Sequence, residues 1–88
     1  MTNQTSNKPV DTLRDGAIKA TIWRNFGEKS GTFYTVEISR TYTDEQGGYQ
    51  DAHSFSGTEP LRVARLAHIA YDEIAILKAN DAQALASS

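Results

Sequence analysis

Trp23 and Phe33 are the residues whose chemistry most needs explaining, because both fall on strand positions that face away from the chain's own apolar pattern. Aromatic rings standing beside lysine and hydroxyl side chains suit single-stranded nucleic acid, whose bases stack on the rings while cations meet phosphates. Lys19, Arg24 and Lys29 lie in the same stretch and are the expected phosphate partners. The competing reading is that the rings are covered, either by a partner chain or by Val10 and Leu13 from the N-terminal segment.

Other candidate chemistry is thinner. Asp51 and His53 are two apart, and Arg40 is expected opposite them, a polar group that a cross-strand salt bridge beside a packed, inward-facing histidine explains. His68 is expected on the wet side of a helix, far from His53, and two separated histidines do not make a metal site. With no cysteine there is no zinc–thiolate site, disulfide or thiol nucleophile. Ser54 and Ser56 lack the strained turn and base partner that an activated nucleophile needs. The glycines sit in hairpin turns, not at strand-to-helix junctions that cradle phosphate. The expectation is a non-enzymatic binding protein with no cofactor and no metal.

The elements that would carry these residues follow from periodicity. Ala17–Phe26 alternates, with Ile18, Ala20 and Ile22 on one face and Lys19, Thr21 and Trp23 on the other, which predicts a half-buried strand. Gly27–Gly31 reads as a hairpin loop, and Thr32–Thr43 alternates again, with Tyr34, Val36, Ile38, Arg40 and Tyr42 facing inward. Asp44–Gly47 is a turn into a third strand, Gly48–Ser56. Its expected register pairs Tyr42 with Tyr49, Arg40 with Asp51, Ile38 with His53 and Val36 with Phe55. That register leaves Gln50 and Ser54 on the open face with Phe33, Thr35, Glu37, Ser39 and Thr41.

After Gly57 the period becomes helical. Val63, Leu66, Ala67, Ala70, Ile74 and Leu77 form one apolar stripe, predicting a helix over 60–78 that starts between Ser56 and Glu59. The expected fold is α+β: a three-stranded antiparallel meander followed by one long amphipathic C-terminal helix packed on one sheet face. Residues 1–13 read as a disordered or loosely docked leader, 14–78 as the single domain, and 79–88 as a flexible tail. Leu61, Ile69 and Ile76 make a second, outer stripe interleaved with Arg65 and Asp72, which predicts a homodimer interface.

Composition bounds the rest. Eighty-eight residues make one domain, and a net charge of -2 is not that of a strong polyanion binder. The charge is uneven: +2 over residues 1–26, -3 over 27–57 and -1 over 58–88. With no long apolar run and a polar N-terminus, the expectation is a cytoplasmic protein of bacterial type with no membrane partner. The expected partner is single-stranded DNA or RNA, or alternatively another protein bound as by an adaptor or inhibitor, through the aromatic patch or the outer helix stripe.

The stretches Arg14-Asp15-Gly16, Ile18–Trp23, Phe33-Tyr34, Arg40-Thr41-Tyr42, Ser54–Gly57 and Leu61–Ala67 resemble a group of small uncharacterised bacterial proteins, over most of residues 14–75. In architecture, strands followed by a long helix resemble the positive-cofactor-4 and Whirly type of single-stranded-DNA-binding regulators. That likeness implies an open binding sheet and a helix that mediates dimerisation. The chain differs from that type in its expected three strands instead of four before the helix, and in lacking basic character.

Overall fold

A computed structural model describes residues 8–87. Four strands and one helix follow in order: β1 (Lys8–Asp15), β2 (Ile18–Gly27), β3 (Gly31–Thr43), β4 (Tyr49–Ala52) and α1 (Glu59–Ser87). The strands form one antiparallel sheet in the order β1-β2-β3-β4, and α1 packs on one face, chiefly against β2. The fold is α+β as expected, with four strands in place of three. Residues 8–13, expected in the leader, are most of β1; the leader's residues 1–7 lie outside the described residues.

The missed strand has a physical reason. On its helix-facing side β1 offers Asp11, Leu13 and Asp15, so only one of three inward positions is apolar. A bulge at Val10 also breaks the alternation. The hairpin signal was present in Asp15-Gly16: Gly16 takes φ 66°, a conformation that favours glycine, and closes the two-residue turn between Asp15 and Ile18.

The β2–β3 hairpin follows its alternation. Ile18, Ala20 and Ile22 are all buried, opposite Arg40, Ile38 and Val36 of β3. The β3–β4 register differs by one residue from expectation: Arg40 pairs with Ala52, Thr41 with Asp51, Tyr42 with Gln50 and Thr43 with Tyr49. Asp44 causes the shift. Its N–H donates to the Gly48 carbonyl at 2.8 Å, and its carboxylate accepts from the N–H groups of Gly48 (2.8 Å) and Gln46 (3.0 Å). The closing pair is therefore Asp44 with Gly48, and the loop between them has three residues, ending at Gly47 with φ 83°.

The slip changes which side chains face where, since a strand's faces alternate. Asp51 and Tyr49 move to the open face, and Gln50 to the helix side. β4 ends at Ala52, so Ile38–His53 and Val36–Phe55 are not strand pairs. Phe55 still packs against the Ile18, Ala20 and Leu66 cluster, but from the connection to α1, where Arg40 Nε donates to the Ser54 carbonyl at 3.2 Å. Among the described residues, no strand pairs with the outer edge of β3 before Arg40.

The helix begins where the sequence predicts. Glu59 Oε1 accepts from the Ser56 N–H at 3.0 Å, the reciprocal half of a capping box. It then runs past residue 78 to Ser87, so residues expected in a flexible tail are helical. Val63, Leu66, Ala70, Ile74 and Leu77 line its covered side, while Ala67, expected among them, is exposed. The Cα extents of 51 × 33 × 17 Å describe a two-layer slab, with a radius of gyration of 15.7 Å. A compact chain of this length has about 12 Å.

Ile18 and Ile22 are the largest fully buried side chains, and the rest of the buried apolar set is Ala20, Leu66 and Ala70. So small a core has no redundancy. Truncation Ile22→Ala is expected to lower stability by about 2–5 kcal/mol, read as a fall in the denaturant midpoint. A change under ~0.5 kcal/mol, the range of surface substitutions, would contradict this packing.

Candidate nucleic-acid interface

The sheet face away from α1 is uncovered among the described residues. Odd-numbered β3 residues point to it, from Phe33 through Thr35, Glu37, Ser39 and Thr41 to Thr43. From β2 it takes Lys19, Thr21, Trp23 and Asn25, which pair with Ser39, Glu37, Thr35 and Phe33 respectively. Trp23 and Phe33 therefore share the open face in adjacent rows. Phe33 is 43% exposed and Trp23 half-buried.

The rings are separated by polar groups. Asn25 Nδ2 donates to Thr35 Oγ1 at 3.1 Å, along the diagonal between their two rows. Successive rows on one face are two residues apart, about 7 Å. Trp23, Asn25, Thr35, Val36 and Glu37 line a shallow hollow of about 380 Å³ beside the indole.

The expected cations divide between the faces. Lys19 is on the open face, but its Nζ is 3.4 Å from Asp51 Oδ2, a pair that bridges β2 to β4 over the buried Ser39. Hydrogen bonding from the Thr41 hydroxyl, and then the Lys19 charge, hold the Asp51 carboxyl below its usual range. Lys29 is exposed in the β2–β3 loop. Arg24 points to the opposite face: its guanidinium lies 3.6 Å from Asp81 of α1 and 6.0 Å over the Tyr34 ring. Even-numbered β2 residues belong to the helix side, so Arg24 cannot join Trp23 on one surface.

The open face also holds residues the sequence reading does not place there: Pro9, Thr12 and Arg14 of β1, and Tyr49 and Asp51 of β4. Arg14 pairs with Lys19 in register and lies beside it, a position that the expected leader boundary at residue 13 hides. Tyr49, 80% exposed, faces the same side at the far end of the sheet, which only the Asp44-determined register reveals. The open-face charges of Arg14, Lys19, Glu37 and Asp51 cancel.

The covered face is stitched to α1 by polar pairs at both ends. Arg40 Nε is 3.6 Å from Glu59, and Arg62 hydrogen-bonds Asp15 at the helix start. At the other end the Tyr34 hydroxyl donates to Asp81, and burial, followed by that hydrogen bond, pushes the Tyr34 phenol up. A groove of about 430 Å³ beside this contact is lined by Arg24, Tyr34, Lys78 and Asp81. Between the two ends Glu73 meets Asp11 of β1. The hydrogen bond they share, then burial, raises the Glu73 carboxyl above its ordinary range.

His53, expected inward, is exposed, with Nδ1 3.0 Å from the Ile38 carbonyl. It stands where the chain leaves the sheet edge, so it meets Ile38 only through that backbone carbonyl and not as an inward-facing strand pair. His68 is exposed as expected, with Nε2 3.7 Å from Asp72. Among the described residues no three His, Cys, Asp or Glu side chains cluster as metal ligands, and no helix is long and apolar enough to cross a membrane. Comparison with protein-family models, curated proteins and solved structures gives no match to this chain.

The acid pair yields a pH dependence. Below the ordinary carboxylate range, about pH 4, Glu73 is protonated whether the chain is folded or not, and its contact with Asp11 is intact. As pH rises through the raised folded value, Glu73 loses the proton it donates toward Asp11, so this contribution to stability is lost. Glu73→Gln, which keeps a donor toward Asp11, is expected to melt higher than the unsubstituted protein near pH 7, with the gap closing towards about pH 4. Thermal melts across that range check it; an equal gap at every pH would contradict the raised Glu73 carboxyl.

Proposed function

We propose that this protein binds single-stranded nucleic acid on the open sheet face, without catalysing a reaction. The observation that carries the reading is that Trp23 and Phe33 stand on the same uncovered surface, one row apart. As diagonal neighbours on adjacent strands they stand about 8 Å apart, more than the 3.4 Å rise per nucleotide of a stacked strand. A strand that engages both rings must therefore be extended and unstacked. Thr21, Asn25 and Thr35 surround the rings with hydrogen-bonding groups.

Phosphate contacts come from Arg14 and Lys29, with Lys19 available only by exchange from Asp51. Arg24 takes no part. A face whose charges cancel depends on stacking more than on phosphate neutralisation. With two phosphate contacts, log affinity falls with log salt at a slope of only about -1.4. Four strands before one helix also removes the difference in strand count from the single-stranded-DNA-binding type named above; the acidic net charge remains a difference. In this proposal the protein works inside the cell as a homodimer.

Trp23 is the only tryptophan, so its fluorescence reports the site directly. Oligothymidylate is expected to quench it, with a shallow salt dependence. Stacking contributes about 1–3 kcal/mol per base, so Trp23→Ala should weaken binding of a labelled oligonucleotide about tenfold or more, while Arg24→Ala leaves it within twofold. Absence of binding at low salt, or full affinity after Trp23→Ala, would overturn the proposal. The second reading, a protein-interaction module, is favoured by the outer edge of β3 before Arg40, unpaired among the described residues, a template on which a partner's strand can add. An unquenched tryptophan would shift the choice to it.

A further inference from the structure

The outer stripe of α1 has a symmetry that specifies its partner. Leu61 and Ile76 are equally far from the point midway between His68 and Ile69, and Arg65 and Asp72 are equally far from that same point. At 3.6 residues per turn, Leu61, Arg65, Ile69, Asp72 and Ile76 lie within an arc of about 80°, centred about 120° around the helix from Leu66 and Ala70. Leu61, Ile69 and Ile76 are 77%, 40% and 61% exposed, so three aliphatic side chains stand in water on one line.

We infer that this stripe pairs with the same stripe of a second copy, as antiparallel helices about a two-fold axis through that midpoint. Such an axis sets each residue against its mirror position, the self-complementary contact of an isologous dimer. Leu61 then meets Ile76 of the second copy, His68 meets Ile69, and Arg65 meets Asp72, each contact occurring twice. Every apolar end faces an apolar end, and every charge faces its opposite. Parallel pairing would set Arg65 against Arg65 and Asp72 against Asp72, so the charges select the antiparallel arrangement. Spacings of three and four residues along the stripe suit shallow helix crossing near 20°.

The charges are available for this contact. Among the described residues Arg65 has no carboxylate partner. Asp72 has only His68 of its own helix, at 3.7 Å, in an exposed pair that contributes little and can rearrange. The apolar side chains supply the affinity, and the two Arg65–Asp72 pairs fix register and direction. The N-terminal part of the stripe borders the end of β1, where Leu61 and Arg65 line a hollow with Asp15, but it belongs to the helix layer, so pairing leaves both open faces free. The inference is independent of what those faces bind.

Light scattering during size-exclusion chromatography tests it, together with circular dichroism to show that each variant folds. The unsubstituted protein is expected at twice the 9.7 kDa chain mass. Arg65→Asp alone brings two acids together at each pair, and Asp72→Arg alone brings two bases together; each variant should run at the single-chain mass. An equimolar mixture of the two single variants satisfies both pairs across unlike chains and should return to double mass, as should the Arg65→Asp, Asp72→Arg double variant. A single-chain mass for the unsubstituted protein, or double mass for both single variants, or a mixture that stays at single-chain mass, would each overturn the pairing.

Discussion

The fold depends on burying one face of β2 under one helix. Ile18, Ala20 and Ile22 project from alternate positions of a single strand and meet Leu66 and Ala70, which lie one helical turn apart. Everything else is arranged around that contact. β1 and β3 flank β2 and add half-buried Leu13 and Ile38, and Phe55 closes the cluster from the connection that leads into α1. One helix is wide enough to cover β2 and the inner sides of its neighbours, and among the described residues no element covers the reverse side of the sheet. That side's composition is therefore free to serve binding, and it holds aromatic, hydroxyl and amide groups.

The covered face shows how a narrow core is kept in register. Apolar contact is confined to the middle of α1, and the ends are fixed by Arg40–Glu59, Arg62–Asp15 and Tyr34–Asp81. Exposed ion pairs contribute little individually, but they act at opposite ends of the helix and so set its direction across the sheet. Gly16 matters here as well. A β-carbon at that position would come within 3.1 Å of the Arg62 guanidinium, so the tight turn also makes room for the clamp on Asp15. The Asp11–Glu73 contact runs the other way, placing two acids together where β1 meets the helix.

Much of this was legible in the residues. The alternation of Ile18, Ala20 and Ile22 gave β2 and its buried side, and the i, i+3, i+4 pattern from Val63 to Leu77 gave the helix and the side that packs. Trp23 and Phe33 were assignable to the open face because both hairpin strands keep strict alternation. β1 was not legible, because its inward side carries Asp11 and Asp15, whose partners Glu73 and Arg62 are distant in sequence. The β4 register was hidden for a local reason: side-chain hydrogen bonds of Asp44 decide the turn, and cross-strand pair chemistry looked acceptable in either register. That one-residue difference moved Asp51 beneath Lys19 and brought Tyr49 onto the open face. Arg24 was misassigned because proximity in sequence to Trp23 says nothing of face.

On the proposed reading, the bare sheet face takes the ligand and the outer stripe of α1 takes a second copy. The account depends most on the indole of Trp23 standing on the side opposite α1. Nuclear Overhauser contacts in the free protein measure that directly. The indole protons are expected to show cross peaks to Thr35, its partner on β3, and none to the methyl groups of Leu66, Ala70 or Leu77. Cross peaks between the indole and those helix methyl groups would place the ring in the core and contradict the account.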